Sequence, residues 1–157
     1  MRSDQSLSDQ TLADFVKRLG STAVAPGSGA AGAVALALAA GCVAKAFSIS
    51  YRHTNASELR EATDHARSLA TIALEGAQRD GDDFRRWLAS HSAPAAEALR
   101  QDARKLLCLS SVLRELIATY GAAVIPSLTA DLGAALDFIA AFEAIETRND
   151  GELPVNS

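Results

Sequence analysis

Residues 25–32, Ala-Pro-Gly-Ser-Gly-Ala-Ala-Gly, open an uncharged apolar run that extends to Ala44. Pro26, Gly27, Ser28 and Gly29 make a tight loop, and at its glycines a backbone can approach a ligand with no Cβ in the way. A helix starting there offers unpaired N–H groups and about half a positive charge. The chemistry this permits is the holding of an anion or a carbonyl oxygen. The same residues are also ordinary punctuation before a buried helix, so both uses stay open. The spacing matches neither G-x-G-x-x-G nor G-x-x-x-x-G-K-[ST], which excludes the two common nucleotide fingerprints.

Asp80, Asp82 and Asp83 bring three carboxylates together near the end of a helical stretch. Like charges at that spacing raise one another's pKa, which suits one of them to proton transfer; a solvated acidic turn would look the same. Arg52 and His53 follow the apolar run. Arginine offers a planar fork for a carboxylate, and histidine titrates near neutrality; as a plain surface loop the pair would do neither. Asp131 falls in the first turn of a later helix, where it complements the dipole. His65 and His91 read as solvent-exposed. Tyr51 and Trp87 are able to stack on a flat ring or to pack a core.

Five helices are expected to position these groups. Leu12, Phe15, Val16 and Leu19 share one helical face, with Ser8 as N-cap and Gly20 as C-terminal stop. The second helix spans about Ser28 to Ser50. Gly29, Ala33, Ala37, Gly41 and Lys45 recur four apart on it, a small-residue stripe that lets two backbones come close. The third starts at Asn55, with Glu58 completing a capping-box arrangement. Its seam is Leu59, Ala62, Ala66, Leu69, Ala73 and Ala77, interrupted mildly by Gly81 and finished by Phe84, Trp87 and Leu88. Residues 89–94 are a loop with Pro94 at the next helix's first turn. The fourth runs over about 94–119 to Gly121, and the fifth over about 127–146. The fold class is all-α: an up-and-down bundle with short loops, in a single domain over 1–157. Residues 147–157 are polar and read as a frayed tail.

The chain has 157 residues, 48% hydrophobic, 22% charged and 5% aromatic, with net charge −4. That length buries about 70% of the unfolded surface, enough for a core. The acidic balance and the absence of like-charge runs argue against nucleic acid. Cys42 and Cys108 are too few for a disulfide scaffold and lack zinc spacing. They read as buried, reduced thiols, consistent with a cytoplasmic location. Met1–Gln5 carries no apolar signal region. The uncharged stretch 30–44 is too short to span about 30 Å of hydrocarbon, so no membrane is expected. Narrow Ala seams bury little area each, so a homodimer or higher even oligomer is expected, joined through the small face of the second helix or its neighbours.

Leu12-Ala-Asp-Phe15, Leu19 through Gly29, and the Ala-rich helix together resemble the start of the cyclodeaminase/methenyltetrahydrofolate cyclohydrolase family, which includes the C-terminal domain of formiminotransferase-cyclodeaminase. Asp80-Gly-Asp-Asp-Phe84 is similar to its D-x-x-A-F segment, and Ala130-Asp-Leu-Gly-Ala-Ala135 to its S-D-x-G-V-A segment. Ser28 stands where the family usually has Gly, Ala130 where it has Ser, and Ser50-Tyr-Arg-His-Thr54 where it has a basic G-[KR]-K-K-Y. The resemblance implies a folate substrate, with Asp80 as catalytic carboxylate and Pro26, Gly27, Ser28 and Gly29 as substrate loop. It further implies Arg52 and His53 as tail-binding groups and Asp131 as a wall of the pocket. It implies neither metal nor cofactor. The expected reaction is hydrolysis of the methenyltetrahydrofolate bridge. The alternatives are formiminotetrahydrofolate cyclodeamination, a non-catalytic folate-binding relative, and a purely structural bundle.

Overall fold

A computed structural model describes residues 7–153. Met1–Gln5, the side chain of Ser8 and residues 154–157 lie outside the described residues. Five helices form: α1 (Leu12–Leu19), α2 (Ser28–Thr54), α3 (Glu58–Ser90), α4 (Ala93–Tyr120) and α5 (Thr129–Glu152), with single 3-10 turns at Leu7–Asp9, Gly121–Ala123 and Pro126–Leu128. The structure is 88% helical, with no strand among the described residues.

Helices α2 to α5 close a four-membered ring in which each neighbour runs antiparallel to the last. The α2–α3 and α3–α4 links are short because the chain reverses through left-handed residues at Asn55 (φ 55°) and His91 (φ 47°). Asn is among the few residues that tolerate this conformation. Asn55 therefore ends α2, and α3 begins three residues after the expected start, behind Ser57. The α2–α5 register is fixed at both ends. Ser28 Oγ donates to Asn149 Oδ1 at 2.8 Å, and Lys45 Nζ meets Asp131 Oδ1 at 2.7 Å. Between α4 and α5, Arg114 makes a two-pronged pair with Glu143 at 3.1 and 2.8 Å.

The core follows the periodicity closely. Leu59, Ala62, Ala66, Leu69, Ala73 and Ala77 of α3 are all buried, as are Leu132, Ala135, Ile139 and Phe142 of α5. Helix α2 lies between α3 and α5, and Leu36, Val43 and Phe47 on it are fully enclosed. Most of its small-residue stripe packs inside the chain: Gly29, Ala33 and Ala37 are buried, while Gly41 and Lys45 are exposed. Gly76 serves a similar end between α3 and α4, since an added Cβ would stand 2.7 Å from Leu106 Cδ2.

Several expectations are corrected. Helix α1 is capped by Thr11, whose side chain accepts from the Asp14 N–H. Its apolar stripe is mostly uncovered: Phe15 is buried, but Leu12 is 64% and Val16 58% exposed. Helix α3 runs unbroken through Gly81 to Ser90, which shrinks the expected 89–94 loop. Residues 147–152 are helical, not frayed. Cys108 is exposed and Cys42 only partly buried, both as free thiols. Helix α2 is longer than its uncharged run, because Lys45 and Arg52 sit on its exposed side. Ser28–Thr54 and Ala93–Ala123 are each long and apolar enough to cross a membrane by length and composition, and 56% of the first window is buried inside the bundle.

Candidate functional site

One end of the bundle carries a pocket of about 230 Å³. The start of α2 contributes Gly27, Ser28 and Gly29, α3 contributes Gly76, Asp80, Phe84 and Trp87, and α4 contributes Leu99, Arg100, Asp102 and Leu106. The last turns of α5 add Glu146, Asn149, Asp150 and Glu152. Apolar rings and leucines form the walls, and the polar groups are mostly carboxylates.

Asp80 occupies the middle of α3, not its end, on the buried side that continues Ala73 and Ala77. It reaches the N-terminus of α2, where the Ala30 N–H donates to its carboxylate. Gly27 is the N-cap residue of α2 and makes no side-chain cap bond, so Asp80 supplies from another helix the acceptor that a local cap would give. The fit leaves no room at Gly29. A Cβ there would lie 2.7 Å from the Asp80 carboxyl carbon and 2.8 Å from Oδ2. Gly29→Ala is therefore expected to push the carboxylate off the helix end, at an overpacking cost of about 1–3 kcal/mol. A drop in the denaturation midpoint at unchanged slope would register this. An unchanged midpoint would mean that the carboxylate has slack.

A cap carboxylate at a helix N-terminus is normally held low by the dipole. Asp80 is instead raised to about 6, chiefly because burial disfavours its charge, with Asp83 and Asp102 adding repulsion against the Ala30 hydrogen bond. Burial is thus the first cause, and of the repulsion expected from the sequence Asp83 supplies a smaller part. Asp82 faces outward and pairs with Arg85 at 2.8 Å. Asp83 is buried and pairs with Arg86; burial pushes it up and Asp102 adds to the rise, against the opposing pull of Arg86. Asp102 is in turn held by Lys105 at 2.9 Å and Arg79 at 3.5 Å.

Glu146 is the functional candidate that sequence reasoning missed. It is 7% exposed. Its carboxyl is raised to about 7, by burial first and then by the charges of Asp80 and Asp150. The signal was available: Ile139, Phe142 and Glu146 share one helical face, so an acid continues a core stripe. Arg100 was also missed. Its side chain is 11% exposed and its Nε stands 3.8 Å from Asp150 Oδ1. Trp87 lines the pocket with its ring 5.8 Å from that of Phe84, and its indole N–H is buried without a hydrogen-bond acceptor among the described residues.

The structure brings Gly27, Ser28, Gly29 and Asp80 into one pocket, with Pro26 buried just behind the loop. It does not bring Arg52, His53 or Asp131 there. Arg52 and His53 are exposed at the opposite end of α2, about 35 Å away at 1.5 Å per residue. Asp131 lies at the start of α5 and is bound to Lys45.

The family profile described as formiminotransferase-cyclodeaminase matches residues 11–119. The chain belongs to that family, and with it to the proteins of folate one-carbon chemistry. The matched stretch includes the loop and Asp80, whereas Asp131 and Glu146 lie beyond it. No curated protein matches the chain.

Proposed function

We propose that this protein hydrolyses the one-carbon bridge of methenyltetrahydrofolate. The observation that carries the proposal is the half-buried Asp80 carboxylate, fixed against the α2 N-terminus inside an apolar, acid-lined pocket. The substrate's reacting carbon is an amidinium, delocalised over N5 and N10 and positively charged. Asp80, Asp102, Glu146, Asp150 and Glu152 against Arg100 give the pocket a charge that favours a cation. Its volume is below the roughly 300–1,000 Å³ of pockets for whole drug-sized ligands. It therefore takes the ring system and bridge and leaves the glutamate tail outside.

Asp80 titrates near 6, so it is ionised at neutral pH yet basic enough to accept a proton. Water adds through oxygen to the amidinium carbon while Asp80 takes one of its protons. The carbon–N5 bond then breaks, N5 receives the proton from Asp80, and the carbinol proton leaves to solvent as the formyl carbonyl forms. The product is 10-formyltetrahydrofolate with one proton released. No metal or redox cofactor enters this scheme.

The working unit in this reading is a soluble, cytoplasmic homodimer or higher even oligomer. Its interface uses the face that α2 leaves open around Leu38 (45% exposed) and Gly41. Light scattering at micromolar concentration is expected to give at least twice the 16.4 kDa chain mass; a stable monomer would remove this part of the proposal.

The deciding experiment follows methenyltetrahydrofolate absorbance with and without the protein, subtracting spontaneous hydrolysis. A rate above background supports the enzyme. Ala130, standing where the family usually has Ser, favours a second reading as a non-catalytic folate-binding relative. Background rate together with a raised melting temperature in tetrahydrofolate would establish that one.

A further inference from the structure

Glu146 carries a carboxylate that the proposed hydrolysis leaves unused. Among the described residues it makes no hydrogen bond and no ion pair, and the charges it feels are those of Asp80 and Asp150. A buried carboxylate without a cation is costly, and strongly perturbed groups lining a cleft cluster at functional sites. Gly32 of α2 lies alongside, where an added Cβ would stand at ordinary contact distance, 3.6 Å, from Glu146 Oε1 and 3.3 Å from Phe142 and Ile145. Beside it, Phe84, Trp87, Leu99 and Leu106 form apolar walls suited to a flat ring.

The geometry points to Glu146 as the residue that recognises the heterocyclic head of the substrate, its two oxygens accepting two parallel N–H groups from a 2-amino-4-oxopyrimidine edge. This rests on the folate reading and deepens it. A carboxylate is acceptor-only and presents its two oxygens side by side. The 2-amino group and the adjacent ring N–H present two donors with matching spacing. Charge-assisted, paired bonds of this kind are the strong ones. Asp80 is not placed for the task, because the Ala30 N–H already engages it. Asp150 is exposed and faces Arg100. Glu146 is a recognition residue here, and proton transfer stays with Asp80.

Two bare ring probes test this without any turnover. Pterin has the 2-amino-4-oxo edge, and lumazine carries a 2-oxo group in place of the amine. Calorimetric titration of the intact protein is expected to show pterin binding roughly 10–100-fold more tightly, the range for paired bonds to a charged group. Glu146→Gln turns one acceptor into a donor at constant shape. Its amide complements the 2-oxo group and the ring N–H of lumazine, so the preference is expected to reverse. Equal affinity of the wild type for the two rings, no pterin binding, or a Gln variant that keeps the pterin preference would each overturn the assignment. Circular dichroism verifies the fold of the variant. Should that variant fail to fold, Glu146→Asp, which keeps the charge and shortens the reach, must weaken pterin without reversing the preference. Methenyltetrahydrofolate turnover reports separately on the hydrolysis. Turnover without ring preference sinks the Glu146 role alone, and ring preference without turnover sinks the hydrolysis alone.

Discussion

Asp80→Asn is expected to lower the cyclohydrolase rate by about 10²–10⁴-fold, the usual contribution of a positioned acid–base group. The substitution keeps the size of the side chain and an oxygen acceptor for the Ala30 N–H, so α2 keeps its tertiary cap. What disappears is the negative charge beside the amidinium and the base for the attacking water. The pH profile carries a second signature. Because Asp80 titrates near 6, the parent's rate at low substrate should fall about tenfold per pH unit below that value, and this acid limb should vanish in the Asn variant. Circular dichroism and melting temperature check that the fold is intact. A variant as fast as the parent would remove Asp80 from the mechanism and leave it as a structural cap of α2.

The second large effect concerns stability. Glu146 is raised from its ordinary 4.5 to about 7, mainly by burial. Its folded pKa lies above the unfolded one, so the folded state holds the proton more tightly. The stability this represents is present below pH 4.5 and is lost as pH rises through 7. The loss is up to about 3 kcal/mol at 1.36 kcal/mol per unit. Glu146→Gln cannot ionise and is expected to recover that amount at pH 8 while matching the parent at pH 4. At this chain length the gain corresponds to a melting temperature higher by something on the order of 5–10 °C. Melting curves over pH 4–8 make the measurement. Parallel curves for the two proteins would show that Glu146 reaches water in the folded state.

Much of the bundle was legible because burial in helices leaves a 3.6-residue trace. The α3 seam from Leu59 to Ala77 was read residue for residue. The loop and Asp80 were legible through motif resemblance, and their meeting follows from a short α2–α3 turn that makes the two helices antiparallel. Arg52 and His53 entered through motif resemblance, which carries no distance, and a helix of 27 residues separates them from the loop. Helix α1 shows the converse limit, since periodicity identifies an apolar face and says nothing of what covers it. Residues 147–152 were read as frayed because they lack apolar anchors. They are held instead by polar ties, Asn149 to Ser28 and Asp150 to Arg100, which leave no periodic trace. Glu146 was overlooked because an acid among polar neighbours looks solvated until its helical register is counted.

The pocket draws on the first turn of α2, the middle of α3, the first half of α4 and the last turns of α5, four segments far apart in the chain. A bound ring would therefore act as a non-covalent staple across the open end of the bundle. Binding and global unfolding would be coupled as one cooperative event, and the α5 terminus would be shielded from proteases for as long as the staple stays in place.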